Sequence, residues 1–236
     1  MTIPPTPIFI PGLILTQDIF AAQIDGLVHP AAAKTANTLG WDSITAMAQA
    51  ALALADGPMV PVGISMGGYI AMEMARLAPQ RLAGIALLNT QHRADSPERR
   101  KQREATIDMA QSERFRGVTK HLMKSFLSTA ALEDKTLVAR VIAMAEEVGR
   151  ENFVLQQRAI LGRRDQSDTL GALTVPALVL GGGLDTLTPP LASRDMAELI
   201  PDAELVIMEE VGHLSTIEAP DEVTDILNAY LARLAT

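Results

Sequence analysis

The chain has 236 residues and is 48% hydrophobic, which suits one globular domain with a sizeable core, or one domain carrying a large insertion. Its 28 acidic residues against 20 Lys and Arg leave a net charge of -8; phosphate binding needs clustered surplus cations, so no nucleic-acid partner is expected. There is no cysteine, which excludes disulfides, thiolate metal ligands and a cysteine nucleophile.

The opening MTIPPTPIFIPGLIL lacks a basic start, and Pro11 and Gly12 interrupt its apolar run. No apolar run nears the roughly 18 residues of a membrane span, so a soluble, cytoplasmic protein without a membrane partner is expected. Pro7 to Ile10 reads as the first strand. A helical pattern over Asp18 to Ile24 follows, then a second strand over Gly26 to His29. Ser43 caps a helix running to Leu54; Trp41, on the loop before that cap, is placed to line a pocket. Met59 to Ile64 is the third strand, Tyr69 to Leu77 a helix and Leu82 to Leu88 the fourth strand.

From residue 92 to 166 the alternation stops, and consecutive amphipathic helices rich in Arg and Glu take its place. The last two are expected over Lys135 to Val148, ended by Gly149, and over Glu151 to Ile160, ended near Gly162. Alternation returns with strands at Ala177 to Leu180 and Glu204 to Met208 around a helix over Leu191 to Leu199. A final helix from Pro220 carries Val223, Ile226, Leu227, Tyr230, Leu231 and Leu234 on one face. Short apolar strands alternating with helices predict an α/β fold with a mostly parallel six-stranded sheet flanked by helices. Residues 1–91 and 167–236 would form the core. Residues 92–166 would form a helical lid over the carboxyl ends of the strands, where open parallel sheets bind ligands.

The stretch VGISMGGY places Ser65 between the apolar run Met59 to Ile64 and a helix. A serine at a strand-to-helix turn needs small neighbours, here Gly63 and Gly67, and a following helix turns its positive end toward the hydroxyl. A serine hydroxyl is a weak nucleophile, so a base and an orienting carboxylate are required. His213, in EVGHLS, and Asp185, in GLDTLTPP, each follow a later strand and give the chain order Ser, Asp, His. Asp before Thr and Pro also suits a cap or turn. Glu209 and Glu210 stand too near His213 to compete, and Asn89-Thr90, after the fourth strand, offers no acid.

With GISMGGY, GLDTLTPP, VGHLSTIEAP and IPGLILT together, nearly the whole chain resembles the α/β-hydrolase superfamily, in the group of small single-domain bacterial carboxylesterases and enol-lactonases. The resemblance implies a serine hydrolase of small esters or lactones without a cofactor, with Ser65, Asp185 and His213 as its triad. It also implies an oxyanion hole from the backbone N–H groups of Leu13 and Met66. The same triad serves carbon-carbon bond hydrolases and enzymes acting on acyl carrier proteins, and some members of the fold only bind ligands. Two departures stand out. Pro11-Gly12 replaces the usual His-Gly, and the first strand lies too near the start for the two strands that usually precede it.

Of the other histidines, His29 ends a strand and His121 lies on a lid helix, while His92 opens the lid and is placed to reach a substrate. A metal site needs three or more convergent ligands, and the four dispersed histidines point to none. The run Arg93, Arg99, Arg100, Lys101 and Arg103, interleaved with Glu98 and Glu104, reads as a solvated helix face, or alternatively as a dock for an acidic acyl carrier. Few aromatics and eleven methionines, Met66 and the lid residues Met109, Met123 and Met144 among them, predict a compact aliphatic pocket, with Met123 in contact with substrate.

Overall fold

A computed structural model describes residues 5–28, 33–112 and 120–234, the side chains of 120 and 121 excepted. The first half runs β1 (Thr6–Ile10), a 3-10 turn (Gln17–Phe20), α1 (Ala21–Asp25), β2 (Lys34–Thr35), α2 (Ile44–Leu52), β3 (Met59–Ile64), α3 (Met66–Leu77) and β4 (Ile85–Leu88). Five described helices follow before the next strand, the first four being α4 (Pro97–Gln111), α5 (Lys120–Phe126), α6 (Thr129–Glu133) and α7 (Lys135–Leu161). The chain continues with α8 (Ser167–Gly171), β5 (Ala177–Gly182), α9 (Pro190–Leu199), β6 (Ala203–Met208), α10 (Ser215–Glu218) and α11 (Pro220–Leu234). Among the described residues, no helix is long and apolar enough to cross a membrane.

All strand pairs are parallel, in the order β2-β1-β3-β4-β5-β6. The four central strands are buried on both faces, which is why they read as continuous apolar runs rather than alternating ones. Their side chains still divide by the two-residue period of a strand. Phe9, Val62, Leu88 and Leu178 point into one core layer; Ile8, Ile10, Leu87 and Val179 point into the other. After β2 the chain returns to the far side of β1 to form β3, so the order reverses between β1 and β3. That reversal opens a crevice at their carboxyl ends.

Two strand assignments are corrected. Gly26 to Val28 form no strand, and His29 lies outside the described residues. Gly26 instead ends α1, its N–H donating to Ala22 O at 2.9 Å, and Val28 is 71% exposed. The strand of that region is the two-residue β2, whose Lys34 and Thr35 pair with Ile8 and Phe9 and carry no apolar signal. The fourth strand begins at Ile85 rather than Leu82. There the Tyr230 hydroxyl accepts the Ile85 N–H at 2.8 Å and donates to Pro176 O at 2.8 Å, and a Cβ on Gly84 would lie 2.5 Å from that hydroxyl. Gly149 breaks α7 as expected, with φ 71° and ψ 168° inside an otherwise continuous helical run.

Candidate active site

Ser65 follows β3 directly and precedes α3 with φ 55° and ψ -117°, a conformation rarely adopted by a non-glycine residue that costs on the order of 1–3 kcal/mol. The surroundings hold it there. Its N–H donates to Leu88 O at 3.0 Å, and its carbonyl accepts from Gly68 N at 3.0 Å and from Thr90 Oγ1 at 2.7 Å. The flanking glycines are steric necessities: a Cβ on Gly63 would lie 2.2 Å from Gly67 O, and one on Gly67 would lie 1.9 Å from Ile10 O. The loop after β1 also comes near, since a Cβ on Gly12 would sit 3.2 Å from Ser65 Cβ. Leu13, next to Gly12, lines the same cavity as Ser65. Met66 is the first residue of α3, and amides at a helix start have no acceptor within the helix.

His213 follows β6 on a loop fixed at both ends. Its Nε2 lies 2.9 Å from Ser65 Oγ and its Nδ1 lies 2.7 Å from Asp185 Oδ2. Glu218 accepts the N–H of Gly212 at 3.1 Å and of Leu214 at 3.3 Å, while His213 N donates to Phe126 O at 3.1 Å. Ser128 N also donates to Glu218, at 3.1 Å, so the turn between α5 and α6 is tied to the histidine loop. A Cβ on Gly212 would lie 2.6 Å from Ser128 N, which accounts for the glycine before the histidine.

Asp185 serves as both turn former and histidine partner, through different oxygens. Oδ1 accepts the N–H groups of Leu187 and Thr188 at 2.9 and 3.0 Å. Oδ2 accepts from His213, from Thr188 Oγ1 at 2.7 Å and from Asn89 Nδ2 at 3.1 Å. Burial raises the carboxyl pKa, but the His213 ring and these hydrogen bonds outweigh it and hold the group below its ordinary value. An ionised Asp185 has no proton to give, so Nδ1 carries the hydrogen of the pair, and Nε2 is the ring atom that meets the serine hydroxyl.

The sequence matches the alpha/beta hydrolase fold family over residues 41–220. The chain belongs to that family. An esterase from Thermogutta terrifontis, solved with malate bound, superposes with a TM-score of 0.89 at 26% identity, covering 100% of this chain and 92% of its own. An enol-lactonase from Burkholderia xenovorans shares the fold with a TM-score of 0.82 at 22% identity, over 97% of this chain and 91% of that one. By sequence, a pimeloyl-[acyl-carrier protein] methyl ester esterase of Photobacterium profundum is 26% identical over 210 residues, 80% of this chain and 77% of that protein.

In this hydrolase a cavity of about 420 Å³ opens onto Ser65 and His213, walled by Leu13, Tyr69, Thr188 and residues of α4, α5 and α7. The other expected substrate contacts lie elsewhere. Trp41 is 39% exposed on its loop and lines no part of the cavity. Met123 packs into the core; its neighbours Leu122 and Phe126, one helical turn apart, face the cavity instead. His92 is buried below Arg93, which donates from Nε to its Nε2 at 3.3 Å, and burial, with the Arg93 charge, pushes its pKa below the ordinary value. The His121 side chain lies outside the described residues. Among the described residues the cavity lining contains no methionine: Met109 is 62% exposed, and Met66 and Met144 are buried in the core. The expected aliphatic pocket is therefore corrected to a mixed one. Arg99, Gln102, Arg103 and Thr106, spaced as one face of α4, form a polar wall.

Three supporting residues were not anticipated. Asn89, set aside for want of an acid, has φ 43° and links Asp185 Oδ2 to Gly212 O (3.0 Å), while its Oδ1 accepts the Ser215 hydroxyl at 2.6 Å. Thr188 donates to the carboxylate three residues before it. Gln156 of α7, without exposed surface, accepts the Ile14 N–H at 3.0 Å and donates to Thr38 O and Oγ1 at 3.4 and 3.3 Å. Ile14 has φ 58°, so a side chain of α7 holds the loop that carries Leu13 in a strained turn.

Proposed function

We propose that the protein hydrolyses small carboxylic esters or lactones through an acyl-enzyme on Ser65. The observation that carries this reading is the Ser65–His213–Asp185 hydrogen-bond chain, built on a serine in the strained conformation of a nucleophile elbow. Ser65 Oγ attacks the scissile carbonyl carbon as His213 Nε2 takes its proton. Asp185 fixes the imidazole tautomer and stabilises its cation. The N–H groups of Leu13 and Met66 receive the developing oxyanion, with Gln156 holding the Leu13 loop. The imidazolium then protonates the departing alkoxide, and water, activated by the same base, releases the acid and restores Ser65. No step calls for a cofactor.

Residues 92–166 act in this reading as a lid whose helices wall the cavity, on a core of residues 1–91 and 167–236. The ties from Phe126 and Ser128 to the histidine loop keep the α5–α6 end of that lid in place. A cytoplasmic enzyme acting on diffusible substrates accords with the absence of cysteine. Relatives named esterase and methyl ester esterase support ester cleavage, and the enol-lactonase fold neighbour extends the choice to lactones. A panel of short-chain esters and lactones tests the proposal. Turnover of at least one member, abolished in Ser65→Ala and retained after exhaustive chelation, is expected. Turnover that persists without the Ser65 hydroxyl would overturn it.

A further inference from the structure

The cavity has an electrostatic character that ester hydrolysis alone does not require. Its α4 wall presents two guanidinium groups, Arg99 and Arg103, and among the described residues its lining includes no carboxylate, in a chain whose net charge is -8. Asp185 lies behind His213 and is 3% exposed.

The two arginines are held differently. Arg103 donates to Asp95 Oδ2 at 2.9 Å and to Gln157 Oε1 at 2.5 Å, and Arg163 donates to Asp95 Oδ1 at 2.8 Å. Burial opposes the Asp95 charge, but these two arginines hold its carboxyl at about 2, so it contributes one full negative charge shared between them. Arg99 donates from Nη1 and Nη2 to Leu187 O at 3.3 and 3.2 Å, and makes no ion pair among the described residues. Two guanidiniums therefore line the cavity, and among the described residues their one carboxylate partner, Asp95, is shared between Arg103 and Arg163, which leaves the wall with surplus positive charge. A guanidinium carries five N–H donors, so Arg99 keeps donors to spare in a planar fork suited to a carboxylate. Half-buried surplus charge of this kind is best relieved by an anion that enters the cavity with the substrate.

Resting on the hydrolase reading above, we infer that the substrate is an ester or lactone bearing a second, free carboxylate, which the Arg99 and Arg103 face of α4 binds while Ser65 attacks the scissile carbonyl. Arg99 is the primary anchor, since it has no ion-pair partner among the described residues; Arg103, fixed by Asp95 and Gln157, is the rigid second cation. The same wall selects against neutral substrates of equal chain length, which leave its charge unpaired.

Two substrate series test this. Monomethyl esters of short dicarboxylic acids are compared with methyl esters of monocarboxylic acids of equal chain length. Acetyl esters of short hydroxy acids are compared with acetyl esters of the matching alcohols. At least one charged series is expected to exceed its neutral partner tenfold or more in kcat/KM, mainly through KM. That ratio is expected to fall at least tenfold in Arg99→Gln, to be partly restored in Arg99→Lys, and to shrink with added salt. An enzyme that labels at Ser65 and turns over neutral esters, yet shows no charged preference in either series, overturns the carboxylate site and leaves the hydrolase reading standing. Failure to label Ser65 or to cleave any ester overturns both.

Discussion

Replacing Gln156 by Leu keeps the side-chain size while removing the acceptor of the Ile14 N–H. Both residues are buried, at 0% and 2% exposure, so no solvent takes the vacated place. An unpaired buried N–H costs about 1–3 kcal/mol. The φ of 58° at Ile14 stores on the order of a further 1–3 kcal/mol, which that hydrogen bond helps to hold in place. The loop relieves both by relaxing, and the Leu13 N–H then leaves the place in the oxyanion hole proposed for it. Loss of one oxyanion donor lowers turnover about 100- to 1,000-fold. The expected result is a kcat reduced roughly 100-fold with KM changed little, and a melting temperature lowered by about 2–4 °C for each kcal/mol lost. Steady-state kinetics on a short ester, with a thermal melt on the same sample, reads both. A lowered melting temperature with kcat within about threefold of the parent would refute the reasoning and leave Gln156 a purely structural residue.

Asp185→Asn keeps the shape but favours the wrong imidazole tautomer, so kcat should fall about ten-thousand-fold with circular dichroism unchanged; near-normal turnover would reduce Asp185 to its turn-forming role. Gly67→Ala places a Cβ 1.9 Å from Ile10 O, and soluble expression of a fully active variant would contradict the packing of the serine turn. Buried Glu73 is held at about 2 against an ordinary 4.5, because hydrogen bonds from Arg76, Thr45 and Gln166 outweigh its burial. Its stabilisation is therefore complete above about pH 4.5 and lost as pH falls toward 2. Urea denaturation at pH 5 and pH 3 should show a smaller loss in Glu73→Gln than in the parent, and equal losses would contradict this.

The sheet and the catalytic loops were legible because their causes are local. Buried parallel strands leave apolar runs, and the glycines around Ser65 and His213 mark places where backbones approach too closely for a Cβ. What the sequence concealed depends on tertiary contact. The strand Lys34–Thr35 owes its existence to pairing with Ile8 and Phe9, not to its own side chains. Gln156 reaches Ile14 across 142 residues of chain, and Asn89 joins Asp185 to Gly212 across the ends of three strands. The α4 arginines show the limit most clearly. Their helical spacing was visible, but charge alone reads as a solvated face, and only the packing of α4 against α7 turns Arg99 and Arg103 toward the serine.

The central claim is that Ser65 is a nucleophile activated by His213, and covalent labelling tests it without knowledge of the substrate. A fluorophosphonate reacts with a serine that has a neighbouring base and donors for the phosphoryl oxygen. Peptide mapping after labelling should place the adduct on Ser65 alone, with the rate reduced by orders of magnitude in His213→Ala. A folded protein whose Ser65 stays unmodified, or whose labelling rate is indifferent to His213, would contradict the account.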